Sequence, residues 1–143
     1  MALAQIDVTV GDLEGNTDLI VDWTRKASDS GAHLVAFPEM ALTGYPPEDL
    51  VLRGSFTAAS QAGLHRLAAR LKSEGLGDTA VVVGYLDTAD EPVPRVGRPA
   101  GEPENACALL FNGRIVTRYA KHHLPNYGVF DEFPTSFRAI ASP

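Results

Sequence analysis

Cysteine, positive charge and long apolar runs are all scarce in this 143-residue sequence. Its one cysteine permits no disulfide within the chain. The net charge is -6 and the twelve lysines and arginines form no basic run, which argues against binding to nucleic acid or to an anionic membrane. No stretch approaches the roughly 18 consecutive apolar residues of a membrane span. These absences favour a globular protein of a reducing compartment, and we expect it in the cytoplasm.

Composition and length point to an ordinary folded domain. Apolar residues make up 45% of the chain and charged residues 21%, which is typical of globular proteins. The first residues have neither the charged region nor the apolar core of a signal peptide. A chain of this length can bury one sizeable core.

The apolar pattern predicts strands alternating with helices, followed by a hairpin. The helices carry apolar residues at helical spacing, and Asn112-Gly113 is typical of a type I′ turn between two strands. The order predicts an α/β layered domain, with the second strand buried on both faces. In chain order we expect a strand at Leu3–Val8, a helix capped by Asn16, a strand at Leu34–Phe37, a helix capped by Ser55, and strands at Ala80–Leu86, Cys107–Phe111 and Arg114–Tyr119.

Two charged side chains follow directly after predicted strands. Glu39 comes after the buried strand that ends in Phe37-Pro38, where a carboxylate can serve as a general base; the alternative is a helix-capping or solvated glutamate. Lys121 follows the second hairpin strand, where an ammonium can stabilise an oxyanion; the alternative is an ordinary solvated lysine. His122 and His123 are adjacent, so on a strand they would point to opposite faces and could not share a metal ion.

Two further features are interpreted as non-catalytic. Cys107 lies inside a hairpin strand between two alanines, with no feature beside it that would lower the pKa of its thiol, and we interpret it as a small buried side chain. Gly11, Gly15 and Gly44 form no phosphate-binding pattern. No metal site and no cofactor site are expected in this segment.

Three segments resemble the carbon–nitrogen hydrolases of the nitrilase family. The segment 31–39, Gly-Ala-His-Leu-Val-Ala-Phe-Pro-Glu, resembles their first catalytic motif. The run 42–50, Leu-Thr-Gly-Tyr-Pro-Pro-Glu-Asp-Leu, and the run 121–132 from Lys121 to Glu132 are similar to the glutaminase domains of glutamine-dependent NAD synthetases. The likeness covers residues 3–133, roughly the first half of such a domain.

The resemblance implies a fold, a site and a reaction. The fold would be part of a four-layer α-β-β-α sandwich, and the site would hydrolyse glutamine through a cysteine thioester. Glu39 would be the general base, Lys121 the oxyanion-stabilising cation, and Glu132 a second carboxylate that orients the lysine and substrate. Tyr45 and Tyr127 would line the glutamine pocket. ATP and magnesium would act in a separate synthetase domain that amidates deamido-NAD, and we expect a homo-oligomer.

The last ten residues, 134–143, depart from the family pattern. Relatives continue with a run such as Tyr-Phe-Val-Pro-Gly and later reach the nucleophilic cysteine, which has no counterpart here. Codons for Tyr-Phe-Val-Pro-Gly-Asp-Ser-Gln-Pro, preceded by CC, followed by one further base and read in threes, can encode the observed Pro-Thr-Ser-Phe-Arg-Ala-Ile-Ala-Ser-Pro. We therefore hypothesise one lost base after the codon for Phe133 and a disordered, out-of-frame tail. An intact reading frame at the locus would contradict this.

The sequence leaves two other functions open. The chain could be part of a stand-alone nitrilase-type amidase, although the run 42–50 disfavours this. It could also be a non-catalytic binding module on the same scaffold. In the leading interpretation the 143-residue chain is inactive by itself, because the nucleophile is missing.

Overall fold

A computed structural model describes residues 1–88 and 103–121, together with the backbone of residues 126–127 and 130–131. In the described parts, five strands form one sheet that two helices cover. The strands are β1 (Ala2–Leu3), β2 (Leu34–Ala36), β3 (Ala80–Thr88), β4 (Pro103–Phe111) and β5 (Arg114–Ala120), and the helices are α1 (Leu13–Asp29) and α2 (Gly54–Ser73). A 3₁₀ helix spans Glu48–Leu52, and the short strands β6 (Asn126–Tyr127) and β7 (Phe130–Asp131) pair with each other. The predicted α/β class is confirmed.

The order of the main sheet is β1-β2-β3-β4-β5. The first three strands are parallel, because α1 and α2 return the chain to the same edge before each new strand. β4 and β5 are antiparallel to their neighbours. Between them, Asn112 and Gly113 both have positive φ, at 49° and 77°, as the predicted type I′ turn requires.

The two faces of this sheet are buried to very different extents. On the helix-facing side, alternate strand residues such as Val35, Val81 and Val83 are fully covered by apolar side chains of α1 and α2. On the opposite side, which we call the open face, Val82 and Leu109 are only half-buried. β2 was predicted to be buried on both faces in a complete domain and to leave one apolar face accessible in this segment. Val35 is buried, whereas its neighbours on the open face are half-buried.

Several predicted boundaries are corrected by the structure. The first strand is Ala2–Leu3 instead of Leu3–Val8, extended by one hydrogen bond from Ala4 N to Ala36 O of 2.9 Å. The cap of α1 is Asp12, whose carboxylate accepts from Gly15 N. Asn16 was predicted to be that cap; it is instead buried inside the helix, where its amide bonds the Thr9 backbone.

The start of α2 is also corrected. The helix begins at Gly54 after Arg53, so Ser55 lies within its first turn and is not its cap. The apolar face predicted for this helix is confirmed, because Leu64, Leu67 and Leu71 are buried. The apolar spacing therefore predicted the existence of α2 correctly. The choice of Ser55 as the cap placed the start of the helix two residues too late.

The hairpin contains a register shift that matters for the site. From the turn, Phe111 pairs with Arg114 and Leu110 with Ile115, but Leu109 then pairs with Thr117. Val116 is therefore the extra residue of a β-bulge in β5. Because side chains alternate along a strand, the extra residue reverses the face on which every later side chain of β5 lies.

Candidate active site

Glu39 lies on a backbone segment that crosses the open face directly on top of β3. Phe37 N donates to Val82 O at 2.9 Å, and Leu42 N donates to Gly84 O at 3.0 Å. A Cβ at Gly84 would lie 2.3 Å from Met40 N and 2.9 Å from the Glu39 carbonyl carbon, so no larger residue fits there. The absence of a side chain on β3 therefore lets the backbone of Glu39 rest against the sheet.

A tight turn after Glu39 holds this segment in place. Met40 has a positive φ of 51° and is buried, and its carbonyl accepts from Thr43 N at 3.1 Å and Gly44 N at 2.8 Å. Met40 packs with Val51 and Leu86 in a small cluster separate from the main core. A buried side chain and paired backbone groups on the following residues fix the direction in which the Glu39 backbone leaves the sheet.

Lys121 and Asn105 meet Glu39 at the end of the β4–β5 hairpin. The backbone N of Lys121 donates to Asn105 O at 2.8 Å, which continues the ladder one residue past β5. The side-chain Nζ of Lys121 donates to Glu39 Oε1 at 2.7 Å, and Asn105 Nδ2 donates to the same oxygen. The structure therefore brings together Glu39 and Lys121, the two residues that the sequence analysis singled out. It adds Asn105, which the sequence analysis did not identify.

These side chains line a small pocket on the open face, with a volume of about 240 Å³. Glu39 and Lys121 remain partly accessible, with 43% and 29% of their side chains exposed. Ion pairs this exposed contribute about 0–1 kcal/mol to folding, so stability is a weak reason for this arrangement. A carboxylate and an ammonium in contact at a pocket are instead suited to proton transfer and oxyanion stabilisation.

Cys107 also lines this pocket, two residues nearer the hairpin turn than Asn105. Its side chain is half-buried, and burial raises the pKa of its thiol. Neither Glu39 nor Lys121 is hydrogen-bonded to it in the described contacts. The geometry agrees with the interpretation of Cys107 as an unreactive strand residue.

The remaining candidate residues are only partly visible. Tyr45 is half-buried and packs against the Met40 cluster, and it has further interactions of its own. Tyr127 lies in β6, where only its backbone is described. Glu132, His122 and His123 lie outside the described residues. Their predicted roles stay predictions.

A second and larger cavity, of about 590 Å³, lies on the helix-facing side beside α2. Its buried carboxylate, Asp87, accepts hydrogen bonds from Tyr85 OH, from Gln61 Nε2 at 2.8 Å and from Arg118 at 3.3 Å. Burial, together with the hydrogen bond to Asp87, raises the pKa of Tyr85 above its usual range. Because the carboxylate is fully engaged in joining α2, β3 and β5, this cavity is less suited to chemistry than the Glu39 pocket.

Two other kinds of feature, a metal site and a membrane-spanning helix, are absent from the described residues. No group of three or more histidine, cysteine, aspartate or glutamate side chains is arranged to hold a metal ion in that part of the chain. Within the same residues, no helix combines the length and the apolar character needed to cross a membrane.

Asn105 could have been found from the sequence by one signal. It is a polar residue within a strand whose other side chains are mostly apolar, two positions before Cys107 and therefore on the same face. What the sequence did not reveal is its partner, because Glu39 lies 66 positions earlier in the chain.

Comparison with known proteins gives consistent results. The family model described as carbon-nitrogen hydrolase matches residues 1–140. A glutamine-dependent NAD(+) synthetase from Thermotoga maritima is 39% identical over 132 residues, which is 92% of this chain and 20% of that protein. The chain thus spans about a fifth of the length of such relatives.

Solved structures agree with the sequence comparison. The glutamine-dependent NAD+ synthetase of Acinetobacter baumannii superposes with a TM-score of 0.77 at 29% identity, covering 98% of this chain and 24% of that one. An amidase from a Nesterenkonia species superposes with a TM-score of 0.69 at 24% identity, covering 99% and 48%, and shares the fold. The expected nitrilase-like α/β fold is confirmed, and the described residues contribute one five-stranded sheet and one helix layer to it. The Glu39–Lys121 pair therefore lies in a chain that belongs to the carbon–nitrogen hydrolase family.

Proposed function

We propose that this chain is the acid–base part of a glutamine amidohydrolase domain, which supplies ammonia for the ATP-dependent amidation of deamido-NAD to NAD. The observation that carries the proposal is the contact of 2.7 Å between Lys121 Nζ and Glu39 Oε1 in a pocket on the open face. The likeness to glutamine-dependent NAD synthetases over 92% of the chain supports the choice of glutamine as substrate. ATP and magnesium are assigned to the separate synthetase domain, and we propose that no residue of this chain binds them.

In the proposed reaction, a cysteine thiol outside this chain attacks the amide carbon of glutamine. Glu39 accepts the thiol proton as the S–C bond forms, and Lys121 stabilises the negative charge that develops on the carbonyl oxygen. The C–N bond then breaks, and Glu39 returns the proton to the departing ammonia. Water next attacks the thioester, Glu39 again takes a proton, and glutamate is released as the thiol reforms.

Three further residues complete the proposal. Glu132 orients Lys121 and the substrate, while Tyr45 and Tyr127 line the glutamine pocket. The assembled enzyme acts in the cytoplasm as a homo-oligomer. The residue assignments rest on the family resemblance of the runs 42–50 and 121–132, and the location on the single cysteine of the sequence.

The main rival is a stand-alone amidase, for which the shared fold of the Nesterenkonia protein is the supporting observation. Both readings use the same Glu39–Lys121 pair, so the pair does not distinguish between them. The difference lies in the acceptor of the ammonia: a synthetase delivers it to deamido-NAD, whereas an amidase releases it.

A chimeric enzyme tests the proposal directly. Residues 1–133 of this chain replace the aligned segment of the Thermotoga maritima enzyme, to which they are 39% identical over 132 residues. We expect the chimera to make NAD with glutamine as the nitrogen donor. The variant Glu39→Gln should lose this activity by at least about a thousandfold, because an amide cannot accept the thiol proton.

Ammonia supplied directly provides the control. Synthesis from ammonia bypasses the amidase step, so the Glu39→Gln chimera should retain it at the level of the unmodified chimera. Full glutamine-dependent activity in that variant would contradict the assignment of Glu39. Hydrolysis of simple aliphatic amides in preference to glutamine would favour the stand-alone amidase.

A further inference from the structure

Asn105 is placed differently from the other polar residues of the sheet. It lies in the middle of the sheet's hydrogen-bonded strands, next to β3, and only 6% of it is exposed. Its side chain reaches across to Glu39, and its backbone carbonyl accepts from the backbone N of Lys121 at 2.8 Å. One residue therefore contacts both members of the candidate acid–base pair.

The two side-chain donors converge on a single oxygen. Asn105 Nδ2 and Lys121 Nζ both donate to Glu39 Oε1. In the described part of the chain, no hydrogen bond to the other oxygen, Oε2, is found. The arrangement thus leaves Oε2 to accept a proton while Oε1 is held in place.

The chemistry of the amide suits this task. An amide N–H stabilises a carboxylate without adding a second positive charge beside Lys121. When the lysine turns toward a developing oxyanion, Asn105 still satisfies the carboxylate. A hydrogen bond from an uncharged donor therefore keeps the Glu39 carboxyl group oriented through the step in which its ionic partner is needed elsewhere.

A purely structural role for Asn105 does not explain why a buried amide lies at this position of β4. Burying an amide costs free energy unless it is hydrogen-bonded, and an apolar side chain on this strand would avoid that cost. The other buried residues of β4 are all apolar, namely Ala106, Ala108 and Leu110. Asn105 instead bonds a side chain 66 positions away that is itself at the pocket.

We propose that Asn105 is a positioning residue, which fixes Glu39 through its side chain and Lys121 through its backbone carbonyl so that Oε2 of Glu39 faces the reacting group. The proposal rests on the proposed function of this site. It assigns to a third residue a role in the orientation of the base.

The test uses the chimeric enzyme with Asn105→Ala and Asn105→Asp, and follows glutamine hydrolysis against pH. Loss of the amide donor removes a hydrogen bond to the ionised base, so Asn105→Ala should lower kcat by about ten- to a hundredfold with little change in KM. The acid limb of kcat/KM should move to higher pH by about one unit. Asn105→Asp keeps the size of the side chain but faces Glu39 with like charge, so its acid limb should move further in the same direction.

A matched control removes an equally buried amide elsewhere. Asn16 is 2% exposed and bonds the backbone of Thr9 and Leu42. Asn16→Ala should lower the unfolding temperature, while leaving the acid limb where it is in the unmodified chimera. This separates a loss of stability from a change at the base.

Each outcome decides between the possibilities. An unshifted acid limb in both Asn105 variants, with activity reduced no more than in Asn16→Ala, would overturn the positioning role. If Asn105→Ala does not fold, as shown by a loss of soluble chimera or of its cooperative unfolding transition, the isosteric Asn105→Asp gives the result. If Glu39→Gln retains glutamine-dependent activity, the proposed function fails instead, whatever Asn105 does.

Discussion

The helix-facing side of the sheet and its open face are built from the same strands but serve different ends. Leu110, on the helix-facing side, is 1% exposed and belongs to the main core. Its neighbour Leu109 faces the other way and is only half-buried, and Tyr119 on the open face is 56% exposed. Every side chain of the Glu39, Asn105 and Lys121 group lies on the open face.

The comparison shows how this fold separates stability from chemistry. The helix-facing side buries a continuous apolar cluster, which is the main source of folding free energy. The open face carries polar groups that contact one another in a pocket, among apolar residues that remain partly exposed. Substitutions on the two faces should therefore have different consequences, and the following predictions, from the largest effect to the smallest, test this.

The largest expected effect is that the 143-residue chain, which carries only the open-face residues of the site, does not hydrolyse glutamine at all. The 143-residue chain has the proposed base and cation but no partner cysteine beyond Lys121, and no base can substitute for a missing nucleophile. We expect no ammonia release from glutamine by this chain, measured with a coupled glutamate dehydrogenase assay. Sustained release that Cys107→Ser abolishes would contradict both this prediction and the structural interpretation of Cys107.

Removing the cation should have the next largest effect. In the chimera, Lys121→Ala should lower the rate of glutamine hydrolysis by about a hundred- to a thousandfold, as expected for the loss of an oxyanion donor. Ammonia-dependent NAD synthesis should be unchanged. The matched substitution Lys72→Ala, on α2 and away from the pocket, should leave both rates as they were.

Adjacent leucines on opposite faces provide the sharpest comparison of stability. We expect the isolated chain to be poorly soluble, partly molten or paired with another copy, because apolar residues of the open face remain accessible. Leu109→Gln should increase its soluble fraction and change the free energy of unfolding by no more than about 0.5 kcal/mol. Leu110→Gln should destabilise it by about 2–5 kcal/mol, because it removes a core side chain and buries an amide.

Soluble yield, size-exclusion chromatography and urea unfolding measure both variants. Equal effects of the two substitutions would show that the faces do not differ as described. A sharply unfolding monomer with strong amide-exchange protection along β2 and β3 would show that the open face needs no cover. That result would favour the binding-module alternative.

The smallest expected effect is that of Cys107 in the complete site. Cys107→Ser in the chimera should leave glutamine hydrolysis within about twofold, since burial raises the pKa of this thiol and keeps it protonated at neutral pH. Alkylation by iodoacetamide should correspondingly be slower than for a free thiol and should accelerate as the pH rises. Rapid alkylation at neutral pH, with loss of activity, would contradict the interpretation.

The turn and the helices of this fold could be predicted from the sequence, because each depends on residues that are close together in the chain. The turn at Asn112-Gly113 needs two residues that tolerate positive φ, and the apolar face of α2 repeats at helical spacing. The ends of elements were less predictable, because polar residues near a helix start compete as caps. Asp12 is the cap of α1, while Asn16 is buried and its side-chain amide donates hydrogen bonds to the backbone carbonyls of Thr9 and Leu42.

The sequence by itself determined that Glu39 and Lys121 each follow a strand, but it did not determine that they meet. An uninterrupted hairpin from the Asn112-Gly113 turn would place Lys121 opposite Glu104, on the other side of the sheet from Asn105. The bulge at Val116 shifts the register by one residue and returns Lys121 to the open face. Only the tertiary structure decided this, because side chains alternate with a period of two along a strand and a single extra residue exchanges the faces.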